Sequence, residues 1–330
     1  MIITKTPFRI SFFGGGTDYP KYFNQHGGSV LSAAIDKYAY ITCRKLPPFF
    51  KHKHRIVYSK IEEVDSISEI NHPAVKAILE ELNINEGMEI HYDGDLPARS
   101  GVGSSSSFTV GLLNALSAFE NKVYNKYDLA QKAIHIEQNV IKEIVGSQDQ
   151  ISASYGNLNK ITFNKNGSFN VEEILMDNYR KEQLQSHLML FFTGIFRFAS
   201  EIAKDKVNNI SKTKNELKLI SGLVDQGITI LKNNSIPIND FGKLLNETWE
   251  LKKKLSVKVT NSKIDSIYNK GIEAGAEGGK LLGAGNGGFL LFFVKPENQE
   301  SVTKALHPLI SIPLKFDISG SRVIFNDKEK

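Results

Sequence analysis

The chain has 330 residues, of which 41% are hydrophobic and 23% are charged, a composition that suits a globular protein large enough for two domains with separate cores. Its 41 basic and 36 acidic residues leave a formal charge of +5, which fits an anionic small-molecule substrate and does not require nucleic acid as a partner. The single cysteine, Cys43, excludes an intrachain disulfide and a cysteine-based metal cluster. Residues 1–7 lack the pattern of a signal peptide and the apolar run at 289–294 is too short to cross a membrane, so we expect a soluble cytoplasmic protein.

Residues 2–13 are rich in β-branched and aromatic side chains and predict a strand. The strand runs into three consecutive glycines, residues 14–16, which indicate tight backbone geometry or a close approach to a ligand, and then into Thr17 and Asp18. Arg9 lies in the apolar part of the strand, where an arginine needs a partner. This position weakens the alternative of a plain glycine turn with a surface arginine.

Further strands are predicted within residues 30–46, at 56–58 and at 88–92, together with a short helix over 73–82. The most informative stretch, residues 96–108, contains Gly101, Gly103 and four consecutive serines. Apolar residues recur at helical spacing after it, which predicts that a helix begins within the serine run. Serines cap free amide groups, glycines let a ligand approach the backbone, and helix N-termini attract anions. We therefore predict a site for nucleotide phosphates rather than a flexible linker, although neither a P-loop nor a dinucleotide-binding fingerprint is present.

A second long helix is predicted over residues 126–145, with Glu137 on it. Asp149 follows the glycine break at Gly146, and from the local sequence alone a helix cap or a surface aspartate is the favoured interpretation. Strands are predicted next, at 158–163 and 187–193.

The chain becomes helical after residue 194, with helices predicted over 197–207, 211–232, 238–255 and 264–274. A glycine-rich segment at 280–288, a strand at 289–294, a helix after Pro296 and closing strands that end at residue 325 complete it. We place a domain boundary near residue 190, which gives domains 1–190 and 191–330. The basic clusters at 51–55 and 252–254 are expected to be solvated.

Three glycine-rich segments follow one another in the chain, at residues 7–18, 97–107 and 282–288. In this order they resemble the three motifs of the GHMP kinases, the superfamily of galactokinases, homoserine kinases, mevalonate kinases and phosphomevalonate kinases. The resemblance covers nearly the whole chain. The Gly-Gly-Gly-Thr-Asp form of the first motif, with segments 192–202, 278–285 and 320–324, is most similar to the heptose 7-phosphate kinases, whereas galactokinases have Gly-Glu-His in the first motif. One departure is Asn286, where this subgroup is expected to have glycine.

The resemblance implies an α+β fold with an ATP-binding N-terminal domain like ribosomal protein S5 domain 2 and a ferredoxin-like C-terminal domain. It implies an ATP- and Mg²⁺-dependent kinase that phosphorylates the anomeric hydroxyl of D-glycero-D-manno-heptose 7-phosphate, for nucleotide-activated heptose and surface polysaccharide. The expected partners are ATP and a phosphorylated sugar, with neither nucleic acid nor a membrane, and a homodimer stays open.

By the same resemblance, Asp149 is the general base, and Arg9 supports its carboxylate or stabilises the charge in transfer. Ser105 and Glu137 are the implied Mg²⁺ ligands, with the register in the serine run open by one residue. The implied nucleotide loop consists of Gly101, Gly103, Ser104, Ser105 and Ser106. Substrate contacts are expected from Gly15, Gly16, Thr17, Asp18, Arg197, Lys280, Gly285 and Arg322.

Three of these residues, Arg197, Lys280 and Arg322, are candidates for the second phosphate of the sugar, because cationic side chains bind phosphate through charge-assisted hydrogen bonds. A salt bridge within the protein is an equally good interpretation of each. Two other functions also stay open. One is a GHMP kinase for an unphosphorylated sugar, such as an L-fucose kinase, and the other is a non-catalytic sensor that binds sugar and ATP. The sequence does not decide whether Asp149 takes the proton or only orients the hydroxyl.

Overall fold

The computed structural model describes residues 1–196 and 199–327 and contains two β-sheets. In the larger sheet the strand order is β12-β1-β2-β5-β3-β4, and β6 pairs with both β2 and β7. Its eight strands are β1 (Ile2–Phe13), β2 (Gly28–Lys45), β3 (His54–Val57), β4 (Ile61–Val64), β5 (Met88–Gly94), β6 (Leu158–Phe163), β7 (Phe169–Glu173) and β12 (Arg322–Asn326). The long antiparallel pair of β1 and β2 forms its centre, and β1 carries the first glycine motif at its C-terminal end.

The helices that accompany this sheet are α1 (Pro20–His26), α2 (Pro73–Glu81), α3 (Ser104–Phe119), α4 (Lys126–His135) and α5 (Gln148–Tyr155). Helix α3 is buried over most of its length and packs against β1 and β2. Two hydrogen bonds fix its start beside β1: Arg9 N–H donates to the Val102 carbonyl at 3.0 Å, and the Ser107 hydroxyl donates to the Pro7 carbonyl at 2.8 Å. The second glycine motif, residues 97–107, which we call the serine loop, is therefore held directly over Arg9.

The smaller sheet is antiparallel, with the order β11-β8-β10-β9. Its strands are β8 (Leu188–Phe192), β9 (Ala276–Leu281), β10 (Phe289–Val294) and β11 (Ile310–Ile312). The helices of this half are α6 (Asn178–His187), α7 (Ala199–Asn209), α8 (Lys214–Lys232), α9 (Asn239–Lys253), α10 (Ser262–Glu273) and α11 (Gln299–Ala305). All six residues of β10 are buried, which explains the apolar run in the sequence.

The predicted helix over residues 126–145 is wrong in its second half. Helix α4 ends at His135 and continues as one π-helical turn, Ile136–Val140, after which Lys142 adopts a φ of +62° and the chain turns away. Val140 and Ile144, apolar residues in the second half of this segment, are exposed. Helices α1, α5 and α6 were not predicted, because they are short and contain few apolar residues at helical spacing.

The boundary near residue 190 stays a prediction, and two features of the chain bear on it. β8 already belongs to the smaller sheet from Leu188 onwards. β12 returns from the C-terminal half to pair with β1 in the larger sheet, with Lys5 opposite Arg322. Among the helices of the described chain segments, none is both long enough and apolar enough to cross a membrane.

Candidate active site

A cavity of about 620 Å³ lies where the three glycine motifs approach one another. The serine loop and the N-terminus of α3 form one side of it. Gly101 and Gly103 adopt φ angles of +87° and +77°, in the left-handed region that glycine enters without strain. A Cβ atom on Gly103 would lie 3.2 Å from Arg9 Cγ and 3.4 Å from Asp149 Oδ2, so the loop runs directly over this charged pair. The partial positive charge of the helix N-terminus makes this side an anion site.

Asp149 lies in the first turn of α5 and forms a two-point ion pair with Arg9. Arg9 Nε donates to Asp149 Oδ1 and Arg9 Nη2 donates to Asp149 Oδ2, each at 2.8 Å. The third nitrogen of the guanidinium, Nη1, donates to the Gly101 carbonyl at 2.7 Å. Arg9 is buried, whereas the Asp149 side chain is 24% exposed and lines the cavity. The local sequence favoured a cap or a surface aspartate, but the structure has a carboxylate that is fixed at the cavity wall.

Asp18 is buried beside this pair and also lines the cavity. Gly16 N–H donates to Asp18 Oδ1 at 2.9 Å, and Gln148 Nε2 donates to Asp18 Oδ2 at 3.1 Å. Burial is the main cause that raises the pKa of Asp18; the Gly16 hydrogen bond acts in the opposite direction, and the nearby Asp149 charge adds to the increase. A Cβ atom at Gly146 would overlap the Asp18 carboxylate, which explains the glycine at that position.

Glu137 lies in the π-helical turn and is buried next to the serine run. The Ser106 hydroxyl donates to Glu137 Oε2 at 2.9 Å, and Gln150 Nε2 donates to the same oxygen. Glu137 Oε1 has no hydrogen-bond partner in the parts of the chain that the structure describes. Burial raises the pKa of Glu137 to about 7, against the opposing effect of the nearby Thr109, Ser106 and Gln150 side chains. A buried carboxylate oxygen without a donor fits a divalent cation, because hard cations bind oxygen ligands.

The metal ligand in the serine run stays a prediction, with the register open between two residues. Ser105 is exposed and lines the cavity, whereas Ser106, one residue later, is buried and contacts Glu137. Successive residues on a helix point about 100° apart, so the two serines face different directions. Ser106 and Glu137, which are in contact, are the candidate pair. Among the described residues, no group of three or more His, Cys, Asp or Glu side chains is arranged to hold a metal.

Several lysine side chains also line the cavity. Lys280 on β9 is buried, and its Nζ donates to the Phe12 carbonyl at 2.6 Å. Burial is the main cause that lowers the pKa of Lys280 to about 7, and the positive charges of Arg9 and Lys206 contribute. The expected solvated cluster at 252–254 is wrong for Lys252, which is buried and donates to the carbonyls of residues 281 and 283 at 2.6 and 2.7 Å.

The third glycine motif packs against the serine loop. Phe289 N–H donates to the Ser100 carbonyl at 3.1 Å, and a Cβ atom on Gly288 would overlap that carbonyl. Asn286, the departure from the expected glycine, adopts a φ of +60°. Asparagine tolerates the left-handed region better than most residues, and Asn261 Nδ2 donates to its side-chain oxygen at 2.6 Å. The loop therefore keeps a glycine-like backbone without glycine at this position.

Several predicted substrate residues lie outside the cavity and are removed from the candidate site. Thr17 is fully buried, and its hydroxyl is engaged by the carbonyls of residues 14 and 29. Gly285 packs against Val259, where a side chain would not fit. Arg322 on β12 pairs with Asp317 at 3.3 Å, the internal salt bridge that the sequence left open.

Most of the remaining predicted contacts line the cavity, and one supports a residue that lines it. Gly15 lines the cavity, as does Lys280, whereas Gly16 supports Asp18 through its N–H group. Gly101, Gly103, Ser104, Ser105 and Ser106 all line the cavity. Arg197 lies outside the described residues.

Sequence reasoning missed several residues of the site. Lys204 and Lys206 on α7 line the cavity, as does Ser11, whose buried hydroxyl has no partner among the described residues. Gln148 and Gln150 hold Asp18 and Glu137. The only sequence signal was their position on either side of Asp149.

Comparisons with known proteins identify the relatives of this chain. The family model described as "GHMP kinases N terminal domain" matches residues 69–157, and "GHMP kinases C terminal" matches residues 234–308. A D-glycero-alpha-D-manno-heptose 7-phosphate kinase from Campylobacter jejuni is 30% identical over 92% of this chain and 93% of its own length. A galactokinase from Pyrococcus furiosus is 26% identical over 92% of both chains.

Solved structures share the fold. A structure described as a D-glycero-D-manno-heptose 1-phosphate kinase from Bacteroides thetaiotaomicron superposes with a TM-score of 0.81, at 24% identity and 99% coverage of both chains. A putative sugar kinase from Campylobacter jejuni has a TM-score of 0.70 at 26% identity, with 98% of this chain and 97% of that chain covered. The two sheets and their helices thus form the two-domain fold of these kinases.

Proposed function

The chain belongs to the GHMP kinases, and from this premise we propose that it transfers the γ-phosphoryl group of ATP to the anomeric hydroxyl of D-glycero-D-manno-heptose 7-phosphate. The product would be the 1,7-bisphosphate, a precursor of nucleotide-activated heptose for surface polysaccharide. The substrate assignment is supported by the relative of 30% identity that is named for this sugar phosphate.

The observation that carries the proposal is the position of Asp149 under the serine loop. Its carboxylate lines the same cavity as Gly101, Gly103 and the N-terminus of α3, and Arg9 fixes both carboxylate oxygens. A nucleotide on the loop would therefore place its terminal phosphate near a carboxylate of defined orientation. Phosphoryl transfer depends mainly on such positioning and on stabilisation of charge.

In the proposed reaction the bond between the γ-phosphorus and the sugar C1 oxygen forms as the bond between the γ-phosphorus and the bridging oxygen of ATP breaks. The proton of the C1 hydroxyl moves to the Asp149 carboxylate, and ADP leaves. Arg9 keeps that carboxylate oriented, and the amide groups at the start of α3 stabilise the phosphate charge. Asp18 accepts hydrogen bonds from sugar hydroxyls beside it.

Ser106 and Glu137 would hold the divalent cation. The fit rests on the buried Oε1 of Glu137, which has no donor among the described residues, and on the adjacent Ser106 hydroxyl. Mg²⁺ needs few protein ligands, because waters and nucleotide phosphates complete its coordination. When bound, the cation neutralises phosphate charge during the transfer.

A phosphorylated sugar is favoured by the charge of the cavity. Among its described lining residues, seven are lysine or arginine and four are aspartate or glutamate. Lys280, Lys206 and Lys204 line the cavity and are the proposed contacts of the second phosphate of a bound sugar. An unphosphorylated sugar such as fucose would lack a group whose charge complements these side chains.

The proposal is tested by ADP release with Mg²⁺-ATP and four acceptors: D-glycero-D-manno-heptose 7-phosphate, sedoheptulose 7-phosphate, mannose and fucose. We expect turnover with the heptose phosphate, and ³¹P NMR of the product should show a new phosphate on C1. Asp149→Asn should lose this turnover. Asp225→Asn is the control, because Asp225 is exposed on α8 and its side chain pairs only with Lys160 among the described residues.

Turnover with an unphosphorylated sugar alone would overturn the heptose assignment and favour a kinase such as an L-fucose kinase. ATP binding without turnover of any sugar would favour the sensor. Full activity of Asp149→Asn would overturn the role assigned to this carboxylate.

A further inference from the structure

Three consecutive side chains at the start of α5 hold three different groups of the site. Gln148 donates to Asp18, Asp149 pairs with Arg9, and Gln150 donates to Glu137. Successive residues of a helix point about 100° apart, so the two glutamines face opposite sides of α5 with Asp149 between them. One helical turn thus fixes the proposed base and contacts the two other carboxylates of the site.

Gln150 is fully buried and acts only through its neighbours. It does not line the cavity, and its Nε2 donates to the oxygen of Glu137 that also accepts from Ser106. This pair of donors leaves Oε1 as the free oxygen of Glu137. The ionised carboxylate that a cation requires accepts hydrogen bonds and does not donate them, so the Gln150 amide N–H₂ group matches this form of Glu137.

Gln148 makes the equivalent contact on the other side of α5. Its Nε2 donates to Asp18 Oδ2 at 3.1 Å, and the Gly16 N–H group donates to Asp18 Oδ1. Both glutamines have a buried Oε1 without a donor among the described residues. A buried amide oxygen without a donor lowers the stability of the folded protein, so a purely structural role does not account for these two glutamines.

The type of donor differs between the three carboxylates. Asp149 accepts from a guanidinium. Asp18 accepts from the neutral amide of Gln148 and from a backbone N–H group. Glu137 accepts from the neutral amide of Gln150 and from a hydroxyl. A neutral donor orients a carboxylate without cancelling its charge. A lysine or arginine in place of Gln150 would compete with a divalent cation for Glu137.

We propose that Gln148 and Gln150 are positioning residues with separate tasks, an inference that rests on the proposed kinase function. Gln150 orients Glu137 for the divalent cation, and Gln148 orients Asp18 for the sugar. The first turn of α5 thereby sets metal affinity and sugar affinity independently, through two side chains of the same type on either side of the base.

The test compares Gln150→Met and Gln148→Met, each of which keeps a side chain of similar length without the amide. Mn²⁺ binding in the presence of ADP, followed by electron paramagnetic resonance, reports on Glu137 without turnover. Calorimetric binding of D-glycero-D-manno-heptose 7-phosphate, without nucleotide, reports on Asp18. The two variants serve as controls for each other.

We expect Gln150→Met to weaken Mn²⁺ binding by about 10- to 100-fold, the usual effect of losing a group that orients a metal ligand, and to leave sugar binding unchanged. Gln148→Met should weaken sugar binding about tenfold, as for one hydrogen bond to a charged group, and leave Mn²⁺ binding unchanged. In a Glu137→Gln background, Gln150→Met should have no further effect on Mn²⁺. In an Asp18→Asn background, Gln148→Met should have no further effect on sugar, which separates orientation from direct contact.

The inference is overturned if either variant weakens both ligands equally, or if neither variant weakens its own ligand. If a methionine variant does not fold by circular dichroism, the shorter Gln150→Asn or Gln148→Asn replaces it, with the same expectations. A wild-type protein that binds Mn²⁺ with ADP but not the heptose phosphate would instead overturn the proposed substrate, and the Gln150 measurements would still decide the inference for Glu137.

Discussion

The two carboxylates Asp149 and Glu137 both lie close to the serine loop, and their environments are opposite. Asp149 is complete as it stands, because Arg9 satisfies both of its oxygens and balances its charge. Glu137 is incomplete, because one oxygen has two neutral donors and the other has none among the described residues. A carboxylate whose two oxygens are both paired with a cationic side chain suits a group that must stay oriented through the reaction. A carboxylate with one oxygen unpaired suits a group that binds a metal cation.

The environments explain why the two groups tolerate burial differently. Glu137 is buried without a counter-charge among the described residues, and burial raises its pKa to about 7. The cost of burying such a charge is offset only when a cation binds. The comparison therefore predicts that removing each charge changes activity in the same direction and stability in opposite directions.

Asp149→Asn is expected to have the largest effect. Loss of a general base lowers kcat by about 10²- to 10⁴-fold. The variant also leaves the buried Arg9 guanidinium without its counter-charge, so the free energy of unfolding should fall by up to about 3 kcal/mol. ADP release and urea unfolding measure the two effects. Unchanged stability would contradict the view that Asp149 balances the charge of buried Arg9 in the ligand-free protein.

Glu137→Gln should also reduce activity, with an increase of about 10- to 100-fold in the Mg²⁺ concentration for half-maximal rate. Its stability effect should be the reverse of that for Asp149→Asn. In EDTA, the free energy of unfolding should stay the same or rise, because a neutral amide is less costly to bury than a carboxylate. A metal-free variant that unfolds more easily than the wild type would argue that Glu137 has a structural role instead.

The sequence predicted the residues of this comparison but not their geometry. The family resemblance implied roles for Asp149, Arg9 and Glu137, which stay predictions, and the apolar patterns predicted β1, α3 and β10 correctly. The π-helical turn that turns Glu137 inward has no signal in hydrophobic periodicity, because it adds one residue to an otherwise helical pattern. The register of Ser106 and the burial of Lys252 depend on contacts between distant parts of the chain, which local patterns do not encode.

Gly103→Ala tests whether the loop must approach Asp149 closely. Alanine in the left-handed region costs about 1–2 kcal/mol, and its Cβ atom would lie 3.4 Å from Asp149 Oδ2. Gly167→Ala is the matched control, because Gly167 has a φ of +86° and open space around its Cα. Both variants should lose similar stability in urea, and only Gly103→Ala should lower kcat. Equal kcat values would show that the space over Asp149 is not needed.

Lys280→Met is expected to change stability in a way that depends on pH. Burial, together with the charges of Arg9 and Lys206, lowers the pKa of Lys280 from 10.5 to about 7 in the folded protein. Between these values the unfolded chain binds more protons than the folded chain, so this group makes the folded protein more stable as the pH rises from 7 to 10. The variant should lose this increase, on the order of a few kcal/mol. Urea unfolding at pH 7 and pH 9.5 measures it, and an identical slope in both proteins would contradict the burial of a titrating ammonium.

Arg322→Ala is expected to have the smallest effect and defines where the site ends. The guanidinium is about one-third exposed and pairs with Asp317 at 3.3 Å, a geometry that contributes at most about 1 kcal/mol. Asp317 keeps other donors, namely the N–H groups of residues 319 and 320 and the Tyr38 hydroxyl. The KM for heptose 7-phosphate should therefore equal that of the wild type, whereas Lys280→Met should raise it. A clear rise in KM for Arg322→Ala would mean that the sugar phosphate reaches beyond the cavity to β12, and the lysines that line the cavity would then lose their assigned role.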